Sequence, residues 1–181
     1  MKIFFDTEFT GLHQQTTLIS IALVSEDNDV FYAELTDYAT TQLNDWIEAN
    51  VMRHLFLVAD IYEDNRTFIK GDSSKVRTAL TTWLARFEDT EIWADVLAYD
   101  WVLFCNLFGD AFGIPGNIFF IPFDLSTAFK IRGVKPDISR EAFVSDFSTS
   151  SINFPLSKHN ALYDALLVKA CHKKLFSSFK P

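Results

Sequence analysis

Cysteine, proline and glycine are all scarce here, with two, five and six copies in 181 residues. Cys105 and Cys171 are too far apart and too few for a disulfide framework or a thiolate metal site. Both fall on predicted helices among apolar neighbours, which suits buried free thiols in a reducing compartment. No Gly/Ser-rich or Pro-rich stretch marks a linker, and no internal repeat is present. No apolar run approaches the roughly 20 residues of a membrane span. The first residues meet Asp6 and Glu8 too early to form the apolar core of a signal peptide. A soluble, cytoplasmic chain with no membrane partner is expected. Positive charge is also in short supply, with 16 Lys and Arg against 24 Asp and Glu and a net charge of -8. That balance argues against a uniformly basic nucleic-acid surface. The deficit is uneven, however. Residues 1–100 carry seven basic and eighteen acidic side chains, whereas residues 101–181 carry nine and six.

Apolar residues are plentiful. A hydrophobic content of 49% with nineteen Phe can fill one core, and the length suits a single domain over 1–181. The phenylalanines serve the core first, with a homodimer interface as their second use. Alternation predicts strands over 2–7, 17–25 and 29–36, the last two joined by a turn at Glu26–Asp29, forming an antiparallel meander. Helices are expected over 43–55, 74–87, 98–108, 124–131, 139–145 and 160–176, with strands at 91–94 and 118–121. Residues 56–70 read as a hairpin-bearing insertion or a partner surface.

Chemistry concentrates in three short segments. In Phe5-Asp6-Thr7-Glu8-Phe9-Thr10-Gly11-Leu12 the strand period aims Asp6 and Glu8 the same way. Like charges at the mouth of an apolar strand repel, so at least one pKa rises unless a cation neutralises them. The candidate ligands are hard oxygens with no Cys or His cluster nearby, which favours Mg²⁺ or Mn²⁺ over zinc. Alone, the pair also fits two solvated acids at a strand end.

The segment His159-Asn160-Ala161-Leu162-Tyr163-Asp164 supplies context. Asn160 can cap a helix whose apolar face runs through Leu162, Ala165, Leu166 and Ala170. Asp164 then lies near the helix start, where the dipole favours its charge. His159 precedes the cap, on a loop free to swing over a substrate, where a neutral imidazole can take a proton from water. Between these segments, Tyr99-Asp100 provides a further carboxylate at the start of a helix. Asp95, just upstream, is expected to accept hydrogen bonds from free amides at the turn into that helix. Metal or substrate contact is its other reading.

Together these residues resemble the DEDDh branch of the 3′-to-5′ exonucleases, which includes oligoribonuclease, ribonuclease T and the proofreading subunits of bacterial replicative polymerases. Asp-Thr-Glu-Phe-Thr-Gly-Leu resembles the family's Asp-x-Glu-x-Thr-Gly-Leu, Tyr99-Asp100 its second motif, and His159 to Asp164 its His-x-x-x-x-Asp spacing. The resemblance spans roughly residues 1–177 and is strongest to the short bacterial single-domain exoribonucleases typified by a mycobacterial member. Asp95 departs from it, standing where the second motif often has Asn. Phe9 stands where proofreading subunits usually carry a small polar residue, a hint toward RNA.

The resemblance implies an α/β fold of ribonuclease H-like type, a mixed sheet with helices on both faces. It also implies that Asp6, Glu8, Asp100 and Asp164 hold two divalent ions while His159 acts as general base. The substrate is then a single-stranded RNA or DNA 3′ end and the product a nucleoside 5′-monophosphate. Thr7, Phe9, Thr10, Gly11 and Leu12 are expected to bound the terminal nucleotide, and Lys158 to meet a phosphate. Two rival readings remain: a non-catalytic binding module on the same fold, and a phosphatase with an aspartate nucleophile, which would leave the His-x-x-x-x-Asp segment without a task.

Overall fold

A computed structural model describes residues 1–149, 152, 154 and 156–177. Seven strands form one mixed sheet: β1 Lys2–Phe9, β2 Leu18–Ser25, β3 Val30–Leu35, β4 Ile61–Glu63, β5 Arg66–Gly71, β6 Glu91–Ala94 and β7 Phe123–Asp124. Their spatial order is β4-β5-β3-β2-β1-β6-β7. β1, β2 and β3 form the expected antiparallel meander, while β6 runs parallel to β1 and β5 parallel to β3. The α-helices among the described residues are α1 Asp45–Asn50, α2 Ser73–Leu84, α3 Ala98–Leu107, α4 Leu125–Ile131, α5 Arg140–Phe143 and α6 Ala161–Ser177.

The central strands are buried on both faces, so β2 reads as an unbroken apolar run interrupted only by Ser. One face, built from Ile3, Phe5, Ile21, Leu23, Phe31, Ala33 and Ile69, packs on α2 and α3 through Val76, Leu80, Leu103 and Phe104. The other face carries Ala22, Val24, Tyr32 and Phe68 against the first turns of α6, and Phe4 against its later turns. Helices therefore cover both faces, as expected. On α6 the buried side is Ala161, Leu162, Ala165, Leu167, Val168, Cys171, His172 and Leu175, so Leu166 and Ala170 lie at the margin of the expected apolar face. Both cysteines are buried free thiols.

Three expectations are corrected. Residues 56–70 bear the expected hairpin, β4–β5, but belong to the sheet and are no insertion, because β5 is an interior strand bonded to β3 on its other side. Phe68 and Ile69 are both fully buried on opposite faces, so neither the alternation of a surface strand nor a long apolar run announces β5. The helix expected over 43–55 stops at Asn50 and gives way to a short 3-10 turn, Met52–His54. Its apolar residues Leu43, Ile47, Val51 and Leu55 still pack around Ile19, but the chain turns so that the Phe56 and Leu57 amides can donate to buried Glu34 Oε1 at 2.6 and 3.0 Å. Residues 118–121 contribute only an isolated bridge from Ile118 to Thr90. Pro122, which has no N–H for a ladder, follows them, and pairing resumes at β7.

Between β6 and α3 the backbone passes through Val96 at φ 52°, a conformation that a β-branched residue adopts only under constraint. The Val96 side chain is 69% exposed, so little packing offsets the strain. Val96→Asn, which tolerates this region, is expected to raise the unfolding free energy by about 1 kcal/mol. Urea titration checks this, and a lower midpoint would mean that the valine side chain makes contacts worth more than the strain.

Candidate active site

The alternation of β1 builds the site. Ile3 and Phe5 enter one core layer and Phe4 the other, so Asp6 and Glu8 continue the Phe4 side toward the start of α6. A β-bulge follows. Glu8 pairs with Ser20 but Phe9 with Leu18, leaving Ile19 as the extra residue. Bulges re-aim a strand end, and buried Ile19 packs on Ile47 and Val51, which fixes α1 beside the carboxylates. Asn44 caps that helix by accepting Ile47 N–H at 3.0 Å.

Because β6 is parallel to β1, with Phe4 opposite Trp93, the connection into α3 emerges at the same end of the sheet as Asp6. Asp100, in the first turn of α3, is 7% exposed. Its Oδ1 accepts the Thr7 backbone N–H at 3.0 Å and the Thr7 hydroxyl at 2.6 Å. Thr7 is thus buried as the anchor of Asp100, not open to a substrate. Thr10 is likewise 1% exposed and bonds Thr16, Thr17 and Gln42, tying the turn after β1. Both side chains frame the site, in contrast to the expectation that they line it.

The third part arrives on α6. Asn160 is 1% exposed, and its Oδ1 accepts the Leu162 and Tyr163 amides at 3.1 and 3.4 Å, which caps the helix as expected. Its Nδ2 donates to Tyr32 Oη at 3.2 Å and to the His54 carbonyl at 3.0 Å. Tyr32 in turn donates to Glu34 at 3.1 Å. His159 is held rather than free to swing: its φ is 65° and its N–H donates to Asp164 Oδ2 at 2.9 Å. Ligand atoms of Glu8, His159 and Asp164 lie within 4.8 Å of one another.

The electrostatics are those of uncompensated carboxylates. None of Asp6, Glu8, Asp100 and Asp164 has a salt bridge among the described residues. Burial first, then the charges of Asp164, Asp100, Glu8 and Asp95, hold the Asp6 carboxyl well above its ordinary range. Burial, then Asp164 and Asp100, pushes Glu8 up to about 8. Burial raises Asp100 to about 6 against the Thr7 hydrogen bonds, and Asp164 to about 7 against the His159 N–H. A donor set of crowded hard oxygens without a protein cation fits divalent Mg²⁺ or Mn²⁺. His159 moves the other way, lowered by burial and then by Lys158 and His54, with Glu141 opposing.

Asp95 is not the helix-entry acceptor expected of it. The residue before α3 is Leu97, with no side-chain cap. Arg140 Nε and NH2 donate to Asp95 Oδ2 and Oδ1 at 2.6 and 2.8 Å, and Ser126 donates to Oδ1 at 2.7 Å. The fork engages both oxygens of this fifth acid, whose charge still reaches Asp6, Asp100 and Asp164, and a partner 45 residues downstream leaves no local signal in the sequence.

A cavity of 420 Å³ opens beside Glu8, lined by Phe9, Gly11, Leu12, Asn44, Trp46, Ile47 and Val51. Leu12 is 78% and Trp46 56% exposed, and Trp46 meets the His159 ring edge-on at 5.2 Å. Trp46 was not apparent from sequence, where its one signal was a large aromatic in the first turn of a helix. Tyr99 and Trp101 are part-buried, stacked on Phe9 and Phe104. A larger groove of 650 Å³ lies between the β4–β5 hairpin and α2 and contains none of the site residues.

The raised carboxyls set a pH dependence for the metal-free protein. In the unfolded chain they titrate near pH 4, whereas in the folded chain Asp100, Asp164 and Glu8 keep protons up to about 6, 7 and 8. Between those limits the folded state binds more protons, so its stability falls as pH rises. In EDTA the melting temperature should drop from pH 5 to pH 8. Added Mn²⁺ should restore most of it at pH 8 and little at pH 5. Calorimetry with equal effects at both pH values would count against a carboxylate metal site.

Comparison with known proteins places the chain. Residues 1–176 match the profile of the 3′-5′ exoribonuclease Rv2179c-like domain. Two curated relatives from Mycobacterium tuberculosis, 3′-5′ exoribonuclease Rv2179c of strain H37Rv and 3′-5′ exoribonuclease MT2234.1 of strain CDC 1551, are each 30% identical over 118 residues. That match covers 65% of this chain and 67% of each relative. Among solved structures, the Neurospora crassa Pan2 catalytic unit (protease and nuclease domain) superposes with a TM-score of 0.51 at 14% identity. The superposition takes in 99% of this chain but only 30% of that one, so this likeness concerns the fold, the α/β ribonuclease H-like type expected from sequence. With nearly its whole length matched, the chain belongs to the 3′-5′ exoribonuclease Rv2179c-like domain family.

Proposed function

We propose that residues 1–181 form one metal-dependent 3′-5′ exoribonuclease domain, which shortens single-stranded RNA from its 3′ end and releases nucleoside 5′-monophosphates. Family membership supports the activity. The observation that carries the mechanism is the gathering of Asp6, Glu8, Asp100 and Asp164 without a balancing cation, beside a histidine held below its ordinary pKa. These four carboxylates would hold two ions, Mg²⁺ or Mn²⁺. When bound, the ions supply charge neutralisation and Lewis acidity toward the scissile phosphate.

The chain's own groups do the rest. His159 is neutral at neutral pH because burial and the charge of Lys158 disfavour its cation, so it can accept a proton from the attacking water. Its pinned backbone keeps that ring beside Glu8 and Asp164. Phe9, Gly11 and Leu12 with Trp46 offer an apolar cavity that packs on a terminal base without reading its identity. Lys158, exposed beside His159, would meet a phosphate. The same mechanism on DNA is the second reading, and the contrast lies in whether a group of this cavity meets the 2′-hydroxyl.

The buried free thiols Cys105 and Cys171 suit a cytoplasmic setting, and no described helix is long and apolar enough to cross a membrane. The exposed run Phe119, Phe120 and Ile121, with the Phe119 and Phe120 rings 5.5 Å apart, supports a homodimer, which equilibrium sedimentation tests.

5′-labelled RNA and DNA of one sequence, each with Mg²⁺, Mn²⁺ or EDTA, test the function. RNA should give a ladder shortening from the 3′ end that EDTA abolishes, and His159→Ala should slow it by about 10²-fold to 10⁴-fold. Cleavage of DNA alone would transfer the proposal to the deoxy substrate. Absence of a ladder with either polymer would favour the binding-module reading.

A further inference from the structure

The wall facing His159 continues past α1 into the Met52–His54 turn, whose last two residues are basic. Hydrogen bonds join this turn to the loop that carries the general base. The His54 carbonyl accepts Asn160 Nδ2 at 3.0 Å, and His54 Nδ1 meets Ser157 Oγ at 2.8 Å. His54 is thereby tied to residues on either side of Lys158 and His159.

Arg53 Nε lies 3.1 Å from His54 Nε2. A guanidinium can only donate, so Nε2 must be the unprotonated nitrogen and Nδ1 must carry the proton given to Ser157 Oγ. His54 is then neutral, in line with the lowering that its burial and the Arg53 charge impose. Ser157 keeps its own hydroxyl proton to offer. The Nε contact also orients Arg53 while engaging neither terminal nitrogen. Arg53 and Lys158 are exposed, and neither has a carboxylate in salt-bridge range among the described residues.

An oriented, uncompensated arginine is notable in a chain with 24 acidic and 16 basic residues. Through His54 it is tied to the loop that carries His159, beside carboxylates that repel a polyanion. We infer that Arg53, Ser157 and Lys158 form a phosphate subsite that holds the RNA strand on the 5′ side of the scissile bond. Arg53 contributes its terminal nitrogens and Ser157 its hydroxyl. A guanidinium fork matches phosphate oxygens, and the hydroxyl proton left over on Ser157 calls for an acceptor as a phosphate does. This assignment rests on the exoribonuclease reading and adds the direction in which the strand leaves the site.

Fluorescence anisotropy of a 5′-labelled pentaribonucleotide tests it, with the protein carrying Asp6→Asn to suppress cleavage. Adding Arg53→Ala should weaken binding about tenfold at low salt, the size of one charge-assisted contact. The slope of log affinity against log salt should shrink by about 0.7, as for one lost phosphate contact on a single strand. Arg53→Lys should keep the slope while losing part of the affinity. In the otherwise wild-type protein, Arg53→Ala should lower the ratio of kcat/KM for the pentanucleotide to that for a dinucleotide about tenfold, because a dinucleotide places its one phosphodiester among the carboxylates. An unchanged salt slope together with equal loss on both substrates would overturn the assignment. If the wild-type protein cleaves neither substrate, the exoribonuclease reading fails by itself, and the anisotropy slope still decides whether Arg53 touches the strand.

Discussion

Mutual repulsion among Asp6, Glu8, Asp100 and Asp164 is the constraint around which this molecule is arranged. Carboxylates brought together at the edge of an apolar interior separate or keep protons unless the backbone leaves them no choice. They are fixed from three directions. Asp6 and Glu8 share the interior strand β1, flanked by β2 and β6. Asp100 is held by two Thr7 donors, and Asp164 accepts the N–H of the residue five positions before it. The surrounding core, packed on both faces of the sheet, makes relaxation of any one of them costly.

A second network supports the same place from behind. Glu34 is 1% exposed and collects donors from Tyr32, Phe56 and Leu57, and Tyr32 receives the Asn160 amide. A buried acid whose Oε1 is held by three donors specifies a local conformation. In this chain it sets where the segment after α1 turns and how α6 begins. The position of His159 is therefore determined partly by a strand residue more than a hundred positions earlier.

The chemistry-bearing residues were legible in the sequence because each motif is local. Asp6 and Glu8 share a strand face by parity, and Asn160 announces a helix start by its type. Strands β1, β2 and β3 were readable for the same reason, as were the helices with long apolar periodicity. What escaped was set by tertiary partners. β5 carries its two core residues side by side, one per face, so no period betrays it. The break after α1 answers to Glu34, not to a local Gly or Pro. The role of Asp95 depends on Arg140, and Trp46 gains meaning only once the bulge at Ile19 has drawn α1 alongside Glu8. Strand parity turns Thr7 inward, and the hydrogen bonds of the turn after β1 bury Thr10.

That parity also limits how such a site can change over time. On β1 from Phe5 to Glu8, buried residues alternate with the two acids, and every residue from Ile3 to Glu8 has a paired neighbour on β2. Inserting or deleting a single residue there would send phenylalanines toward the solvent cleft and acids into the core at one stroke. Lineages sharing this architecture can diversify by substitution within the strand, and by length only beyond it. The loop after the bulge and the segment bearing α1 are where variation in substrate handling has room to accumulate.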